Sequence, residues 1–189
     1  MRPTVVLMLK EPTPGRVKTR LGRDIGMGEA ARWFRRQALR TIARLRDPRW
    51  TLVLAVSPDA EGLRSRVWPQ DLPRVAQGSG DLGARMGRLM RSLPPGPVLI
   101  VGADIPGLTR RNVANAVRAL GKADAVVGPA TDGGYWLVGL KRVRAVPPFL
   151  FENVRWSSEH ALADTVRTLT TDRITLVDTL SDVDTAADL

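Results

Sequence analysis

The sequence predicts an α/β fold in which a mixed, mostly parallel β-sheet carries helices on both faces. Two observations lead to this prediction. Short apolar runs rich in Val, Leu and Ile alternate with longer amphipathic segments along the 189 residues. Such runs are typical of strands buried on both faces, and strand–helix alternation is typical of parallel sheets. We expect one domain that spans residues 1–189, because chains of this length commonly form one.

Six apolar runs predict the strands. They cover residues 4–9, 51–56, 97–102, 124–127, 135–140 and 174–177. Amphipathic segments predict helices at residues 27–45, 59–67, 81–93, 109–120 and 157–169. Thr109 is the expected N-cap of the helix at residues 109–120, and Ser57 or Asp59 is the expected N-cap of the helix at residues 59–67. Their side chains can accept hydrogen bonds from the free N–H groups of the first helical turn. Ligands of such sheets bind beyond the carboxyl ends of the strands, so the loops there are expected to carry the site.

The composition excludes several classes of protein. The chain has no Cys and one His, which rules out disulfides, thiolate metal sites, a Cys nucleophile and multi-His metal sites. Its 43% hydrophobic content is too high for a disordered chain. The single histidine, His160, is expected to be structural, and no G-x-S-x-G motif accompanies it.

The charge of the chain is strongly positive. Lys and Arg number 29 against 19 Asp and Glu, a net charge of +10, and only four of the basic residues are Lys. One interpretation is an arginine-biased composition, and the other is binding to nucleic acid, an anionic membrane or a polyphosphate. Because aromatic residues are only 5% and no recognition motif is present, no specific nucleic-acid partner is expected.

The location predicted from the sequence is the cytoplasm. The apolar run at residues 5–9 ends at Lys10 and Glu11, before it could form the apolar core of a signal peptide. No run approaches the roughly 18 consecutive apolar residues of a membrane span. We therefore expect no membrane span.

The loop after the first strand is rigid and basic. Pro12, Pro14 and Gly15 restrict its backbone, and its four cations are Lys10, Arg16, Lys18 and Arg20. Arg binds phosphate with two parallel hydrogen bonds and Lys binds it as a point charge. The Walker A pattern is absent. The position after a strand favours a phosphate site over the alternative of a solvated basic loop.

Acidic residues occur at two places of interest. Asp104 follows an apolar strand, where an unpaired carboxylate would be costly to bury. A divalent cation that bridges it to phosphates would satisfy it, and the alternative is an N-cap or turn residue. Asp182 and Asp184 lie in an acidic C-terminal stretch, which either completes a metal site or is a solvated tail.

Two glycine-rich segments follow predicted strands. Residues 78–83 match G-x-G-x-x-G before a helix. Only a short apolar segment precedes them, so we favour a helix start that approaches an anion or a base over a dinucleotide fingerprint. The sequence Asp132-Gly133-Gly134-Tyr135 joins two strands. It is either a simple hairpin turn or a turn whose glycines let the backbone approach a ligand beside Asp132 or Tyr135.

Six segments carry a family resemblance. They are residues 10–21, 77–86, 101–108, 128–140, 154–158 and 182–189. In this order they resemble a bacterial family of glycosyltransferase-A-like proteins, grouped with the nucleotide-diphospho-sugar transferases. The first and last segments are also similar to 2-phospho-lactate guanylyltransferase, a nucleotidyltransferase of the same fold.

The resemblance implies a three-layer α/β sandwich that binds a nucleoside diphosphate sugar or a nucleoside triphosphate. It implies that Mg²⁺ or Mn²⁺ lies on Asp104, completed by Asp182 or Asp184. The implied phosphate ligands are the cations of the first loop. The residues implied near the base are Gln77, Gly78 and Gly80, and those implied near the acceptor or sugar are Asp132, Gly133, Gly134 and Tyr135.

The leading hypothesis is therefore a metal-dependent transferase, foremost a nucleotide-sugar glycosyltransferase with an unidentified acceptor. Its predicted catalytic residues are Asp104, Asp132 and Lys18. The glycosyltransferase D-x-D motif is reduced to Asp104-Ile105-Pro106. This departure keeps two alternatives open, a nucleotidyltransferase and a nucleotide-binding protein without turnover.

Overall fold

The computed structural model describes residues 1–189. Its strands are β1 (Thr4–Lys10), β2 (Thr51–Ser57), β3 (Arg74–Ala76), β4 (Val98–Gly102), β5 (Ala125–Pro129), β6 (Tyr135–Leu140) and β7 (Ile174–Leu176). Its helices are α1 (Thr19–Ile25), α2 (Met27–Leu45), α3 (Asp59–Arg64), α4 (Leu82–Ser92), α5 (Arg110–Leu120) and α6 (Ala161–Thr168), followed by a 3₁₀-helix at Ala186–Asp188. None of the helices combines the length and the apolar character that crossing a membrane requires.

All seven strands form one sheet in the order β3-β2-β1-β4-β6-β5-β7. Strand β6 is antiparallel to both β4 and β5, and the other neighbours are parallel. The sheet is therefore mixed and mostly parallel, as predicted. Because β6 runs backwards, the turn between β5 and β6 lies at the same edge as the carboxyl ends of β1 and β4.

Helices cover both faces of the sheet and create three layers. Alternate residues of β1 point to opposite faces: Val5 and Leu7 join one apolar cluster, and Val6 joins the other. The first cluster includes Phe34 of α2 together with apolar residues of α5. The second includes Met86 of α4 and its apolar neighbours. The three-layer α/β sandwich is thus confirmed.

Several helix boundaries agree with the sequence patterns. Helix α2 coincides with the predicted residues 27–45. Asp81 caps α4 by accepting a 2.8 Å hydrogen bond from the Ala84 N–H. Thr109 caps α5 in a reciprocal capping box with Asn112.

Other predictions were wrong or incomplete. The helix expected at residues 157–169 begins only at Ala161, because Ser157 has a φ of 57°, which a helix does not accept. Neither Ser57 nor Asp59 caps α3: Pro58 occupies the N-cap position and makes no side-chain bond. Helix α1, of seven residues, and strand β3, of three, were not predicted, because neither carries a continuous apolar run or a clear amphipathic period.

Candidate active site

A cleft of about 900 Å³ opens at the carboxyl ends of β1 and β4. From the carboxyl end of β1 the chain continues to β2, on one side of β1, and from that of β4 it continues to β5, toward the other edge of the sheet. The strand order therefore reverses between the parallel neighbours β1 and β4, and α/β proteins bind ligands in the crevice at such a point. The cleft therefore lies where the fold itself provides a site.

Three carboxylates meet in this cleft. Asp104 follows β4, and Asp182 and Asp184 lie on the segment after β7. One side-chain oxygen of each lies within 4.8 Å of the others. Burial raises the pKa of Asp182, and the charges of Asp104 and Asp184 raise it further. Such crowding of like charges calls for a cation.

The C-terminal segment is fixed to the sheet edge by hydrogen bonds and by a buried side chain. The Val183 N–H donates to the Asp104 carbonyl oxygen at 3.3 Å, and the Leu180 N–H donates to that of Pro129 at 3.1 Å. The Val183 side chain packs with Leu21 and Ala30. Asp182 and Asp184, on either side of Val183, are thereby held beside Asp104.

Lys18 supplies a cation to this cluster. Its Nζ lies 2.6 Å from Asp104 Oδ2 and 2.7 Å from Asp184 Oδ1, and its side chain is only 8% exposed. Burial alone would lower the pKa of Lys18, but the two carboxylates outweigh burial and leave that pKa raised. The ammonium therefore stays charged and partly balances the acidic cluster.

The other cations of the first loop differ in position. Arg20 is exposed, lines the cleft and lies 3.3 Å from Asp184 Oδ2. Lys10 also lines the cleft. Arg16 is not among the lining residues and pairs instead with Glu61 at 3.5 Å. The structure thus brings together three of the four predicted phosphate ligands.

At the opposite end of the cleft, Gln77 acts as part of the framework. Its side chain is buried, and its Nε2 donates to the carbonyl oxygens of Leu9 and Ala55 at 2.9 and 2.8 Å. Gly80 lines the cleft, whereas Gly78 does not. Gln77 therefore joins the ends of β1 and β2 beneath the region where the resemblance places the base.

Arg85 is a cleft residue that the sequence interpretation missed. Its Nε donates to the Gly80 carbonyl oxygen at 2.9 Å, and its Nη1 contacts Ser57 Oγ at 3.3 Å. The guanidinium is therefore held at the wall of the cleft. Its place in the first turn of α4, two residues after the glycine-rich segment, was the signal that could have found it.

The turn between β5 and β6 is both a hairpin and a wall of the cleft. Asp132 Oδ1 accepts a 2.9 Å hydrogen bond from the Gly134 N–H, as a turn residue does. Gly133 has a φ of 86°, and a Cβ placed there would lie 2.5 Å from the Glu159 backbone. The turn therefore packs tightly on the segment before α6, while Asp132 lines the cleft.

Tyr135 begins β6 and lines the same wall. Its hydroxyl oxygen accepts a 3.1 Å hydrogen bond from Thr165 Oγ1, and burial raises its pKa. An apolar hollow of about 200 Å³ opens beside it. The hollow is lined by Met8, Met86, Ile100, Val138 and Trp156, among others.

The donor set of the acidic cluster fits a hard divalent cation. Mg²⁺ prefers carboxylate oxygens at about 2.0 to 2.1 Å, so two of its ligands lie up to about 4.2 Å apart. The three carboxylate oxygens lie up to 4.8 Å apart, so they need to approach one another only slightly to bind one ion together. Asp104, Asp182 and Asp184 are therefore suited to hold Mg²⁺ or Mn²⁺.

Comparison with known proteins identifies the family. A family model described as an uncharacterized protein conserved in bacteria (DUF2064) matches residues 41–158. The chain belongs to the DUF2064 family. No curated protein matches it at a significant level.

Solved structures share the fold of this DUF2064 protein. A protein of Desulfovibrio desulfuricans G20, provisionally described as a nucleotide-diphospho-sugar transferase, is 28% identical, with a TM-score of 0.82 over 97% of this chain and 83% of its own. The 4-diphosphocytidyl-2C-methyl-D-erythritol synthase of Anaerococcus prevotii DSM 20548 is 12% identical, with a TM-score of 0.62 over 98% and 92%. Rv0371c of Mycobacterium tuberculosis H37Rv, in complex with manganese, is 18% identical, with a TM-score of 0.57 over 100% and 95%.

These comparisons confirm the family resemblance and the fold class expected from the sequence. The fold of the DUF2064 protein is that of nucleotide-sugar transferases and nucleotidyltransferases. The family model covers Asp104 and Asp132 but not Lys18, Asp182 or Asp184. The roles of all these residues stay predictions.

Proposed function

We propose that this protein is a metal-dependent transferase that acts on a nucleotide-activated substrate. The observation that carries the proposal is the convergence of three carboxylates with Lys18 and Arg20 at the carboxyl edge of the sheet. Carboxylates hold a divalent cation, and the neighbouring cations attract phosphate oxygens. This combination suits a reaction in which negative charge builds on a phosphate group.

Each group of residues has a distinct task in this proposal. Asp104, Asp182 and Asp184 hold Mg²⁺ or Mn²⁺, which neutralises charge on phosphate oxygens. Arg20 and Lys10 bind the phosphates from the first loop. The base lies toward Gly80 and Arg85, whose guanidinium offers hydrogen-bond donors to base carbonyl oxygens.

Asp132 is the proposed general base, because it lines the cleft and the family resemblance implies that it lies near the acceptor or sugar. In glycosyl transfer, the acceptor oxygen bonds to the anomeric carbon and the bond from that carbon to the diphosphate breaks. The nucleoside diphosphate leaves with the bonding electron pair, and Asp132 takes the acceptor proton. The apolar hollow beside Tyr135 would receive the apolar part of the acceptor.

Nucleotidyl transfer is the second candidate, and one specific observation favours it. The glycosyltransferase motif D-x-D would place a second acid two residues after Asp104, but that position is Pro106. The second and third carboxylates of the cluster come instead from Asp182 and Asp184 of the C-terminal segment. In this reaction the acceptor oxygen bonds to the α-phosphorus, pyrophosphate leaves, and Asp132 again takes the proton. The released product, nucleoside diphosphate or pyrophosphate, distinguishes the two reactions.

The proposal is tested by nucleotide binding with and without Mn²⁺. Calorimetry with UDP-glucose, GDP-mannose, CTP and GTP should give at least one ligand whose affinity rises with Mn²⁺. Asp104→Asn should weaken that Mn²⁺-dependent binding by at least about tenfold. Asp172→Asn is the control, because Asp172 is exposed and makes no salt bridge. If no nucleotide binds in either condition, the proposed function is wrong.

A further inference from the structure

We propose that Lys18 is the internal counter-ion of the metal site, and that a divalent cation binds only by displacing the Lys18 ammonium from Asp104 and Asp184. In the nucleotide complex the displaced ammonium would then pair with the phosphates. This last part rests on the proposed function, whereas the exchange of lysine for metal does not require a nucleotide.

The geometry of the cluster carries the inference. The Lys18 Nζ lies within 2.7 Å of Asp104 Oδ2 and Asp184 Oδ1 at once. A divalent ion that uses the same two oxygens would sit about 2.1 Å from each. Two cations that share two oxygens at such distances repel each other strongly in a partly buried site. An ion bound through these two oxygens and the Lys18 ammonium therefore compete for the same space.

The surrounding charges show where the ammonium can go. Three carboxylates and one ammonium leave the cluster negative, so it favours a divalent ion over a monovalent one. The released Lys18 ammonium is repelled by the other cations of the cleft, Lys10 and Arg20. The other carboxylates around it are those of Asp132 and Asp188. Phosphate oxygens beside the bound metal would give it a stronger partner than any of these.

The backbone allows this movement without a change in the helix. Lys18 is the N-cap of α1 and has a left-handed conformation, with φ 45° and ψ 49°. Its carbonyl oxygen accepts a 2.8 Å hydrogen bond from the Gly22 N–H. The main chain is therefore fixed, and rotation of the four-carbon side chain is enough to move the ammonium.

The inference predicts the opposite result from a merely structural role. If Lys18 only holds the carboxylates together, its removal lets them separate and weakens metal binding. If it competes with the metal, its removal strengthens metal binding. Lys18→Met keeps most of the length of the side chain and removes its charge, so it separates the two cases.

The test measures Mn²⁺ binding without nucleotide, by calorimetry and by electron paramagnetic resonance of free Mn²⁺. Lys18→Met should bind Mn²⁺ about tenfold more tightly than the natural chain, within the usual range of coupling between competing ligands. Arg20→Met is the control: it removes an exposed cation from the same Asp184 and should change the affinity less than about twofold. Unchanged or weaker Mn²⁺ binding by folded Lys18→Met would overturn the inference.

A second measurement needs no variant at position 18. The chain has only four Lys residues, so the Nζ resonance of Lys18 can be assigned by single Lys→Arg substitutions at the other three. Titration with Mg²⁺ should shift this resonance and remove its hydrogen-bond protection. An unchanged Lys18 resonance at Mg²⁺ saturation refutes the exchange. If the resonance shifts with Mg²⁺ but no nucleotide binds, the exchange stands and the proposed function fails.

Discussion

The indole N–H of Trp136 donates a 2.8 Å hydrogen bond to the carbonyl oxygen of Asp178. This bond links β6, in the interior of the sheet, to the segment that carries Asp182 and Asp184. The side chain of Asp178 adds a second link, since it accepts a 2.8 Å hydrogen bond from Asn112 Nδ2 of α5. The position of two of the three carboxylates therefore depends on contacts outside the cleft.

Trp136→Phe should weaken Mn²⁺ binding by about tenfold, because loss of an outer hydrogen bond leaves the metal ligands less well oriented. It should also cost about 1 to 3 kcal/mol of unfolding free energy, since a carbonyl oxygen loses its partner. Trp50→Phe removes a similar 2.8 Å bond, to Leu45, far from the cleft. Trp50→Phe should lose similar stability and keep its Mn²⁺ affinity. Equal Mn²⁺ affinities in the two variants would contradict the prediction.

Asp182→Asn should make the metal-free protein more stable at pH 7. The folded state raises the pKa of Asp182 through burial and the nearby carboxylates of Asp104 and Asp184. The folded chain thus binds this proton more tightly than the unfolded chain, and the ionised form is unfavourable at neutral pH. The amide removes that penalty, so thermal unfolding without metal should occur at a higher temperature.

The same variant should lose the stabilisation that Mn²⁺ gives, because an amide oxygen is a weaker ligand than a carboxylate. In the natural chain, Mn²⁺ affinity should fall as the pH is lowered toward the raised pKa of Asp182, where protons compete with the ion. Melting curves at several pH values, with and without Mn²⁺, check both effects. A lower melting temperature for metal-free Asp182→Asn would show that the carboxylate stabilises the fold.

Gly133→Ala and Gly15→Ala should differ in their cost to stability. Both glycines have positive φ, so either alanine costs about 1 to 2 kcal/mol of conformational strain. A Cβ at Gly15 meets nothing within 4 Å, whereas one at Gly133 lies 2.5 Å from the Glu159 backbone. Overpacking adds about 1 to 3 kcal/mol at Gly133. Urea unfolding of the two variants should separate them, and equal losses would exclude the close contact.

Asp164 should make stability depend on acid pH. Its carboxylate, 7% exposed, pairs with Arg155 at 2.8 Å and Arg167 at 2.7 Å. The Arg155 hydrogen bonds hold the pKa of Asp164 far below its ordinary range. A carboxylate whose pKa is lowered by folding contributes its full stability above the pKa of the unfolded chain, about 3.9. This contribution is lost progressively as the pH falls from there toward the lower pKa of the folded state.

The natural chain should therefore exceed Asp164→Asn in stability by a constant amount between pH 5 and 8, and the difference should shrink below about pH 4. Urea unfolding at pH 7, 5, 4 and 3 measures this. Asp172→Asn, at an exposed position without an ion pair, should follow the natural chain at every pH. A difference that is as large at pH 3 as at pH 7 would mean that the loss is not electrostatic.

The fold could be predicted because its signals are local. Apolar runs defined the central strands, and their alternation with amphipathic segments predicted helices on both faces of the sheet, as observed. Short elements such as α1 lack enough residues to show a period. The start of α6 was misplaced because the left-handed backbone of Ser157 depends on packing, and no residue pattern marks it.

The sequence predicted which segments line the candidate site, but it did not predict which side chains within them contact one another. The loops after the strands place Asp104, Lys18 and Asp132 along the cleft, the edge at which the topology predicts a ligand site. Arg16 pairs with Glu61 of α3 and does not line the cleft. This pairing depends on the path of the loop that carries Arg16. Such pairings are set by the tertiary arrangement, which short sequence patterns do not encode.

Lys18 and Asp184 are 166 residues apart in the chain, and Asp104 lies near the middle of that interval. No contiguous fragment shorter than this interval contains the complete cluster. A partly folded intermediate, or one half of a split chain, would hold isolated carboxylates that bind Mn²⁺ weakly. Tight Mn²⁺ binding would then report the completion of folding, and a stopped-flow metal signal could follow refolding at its last step.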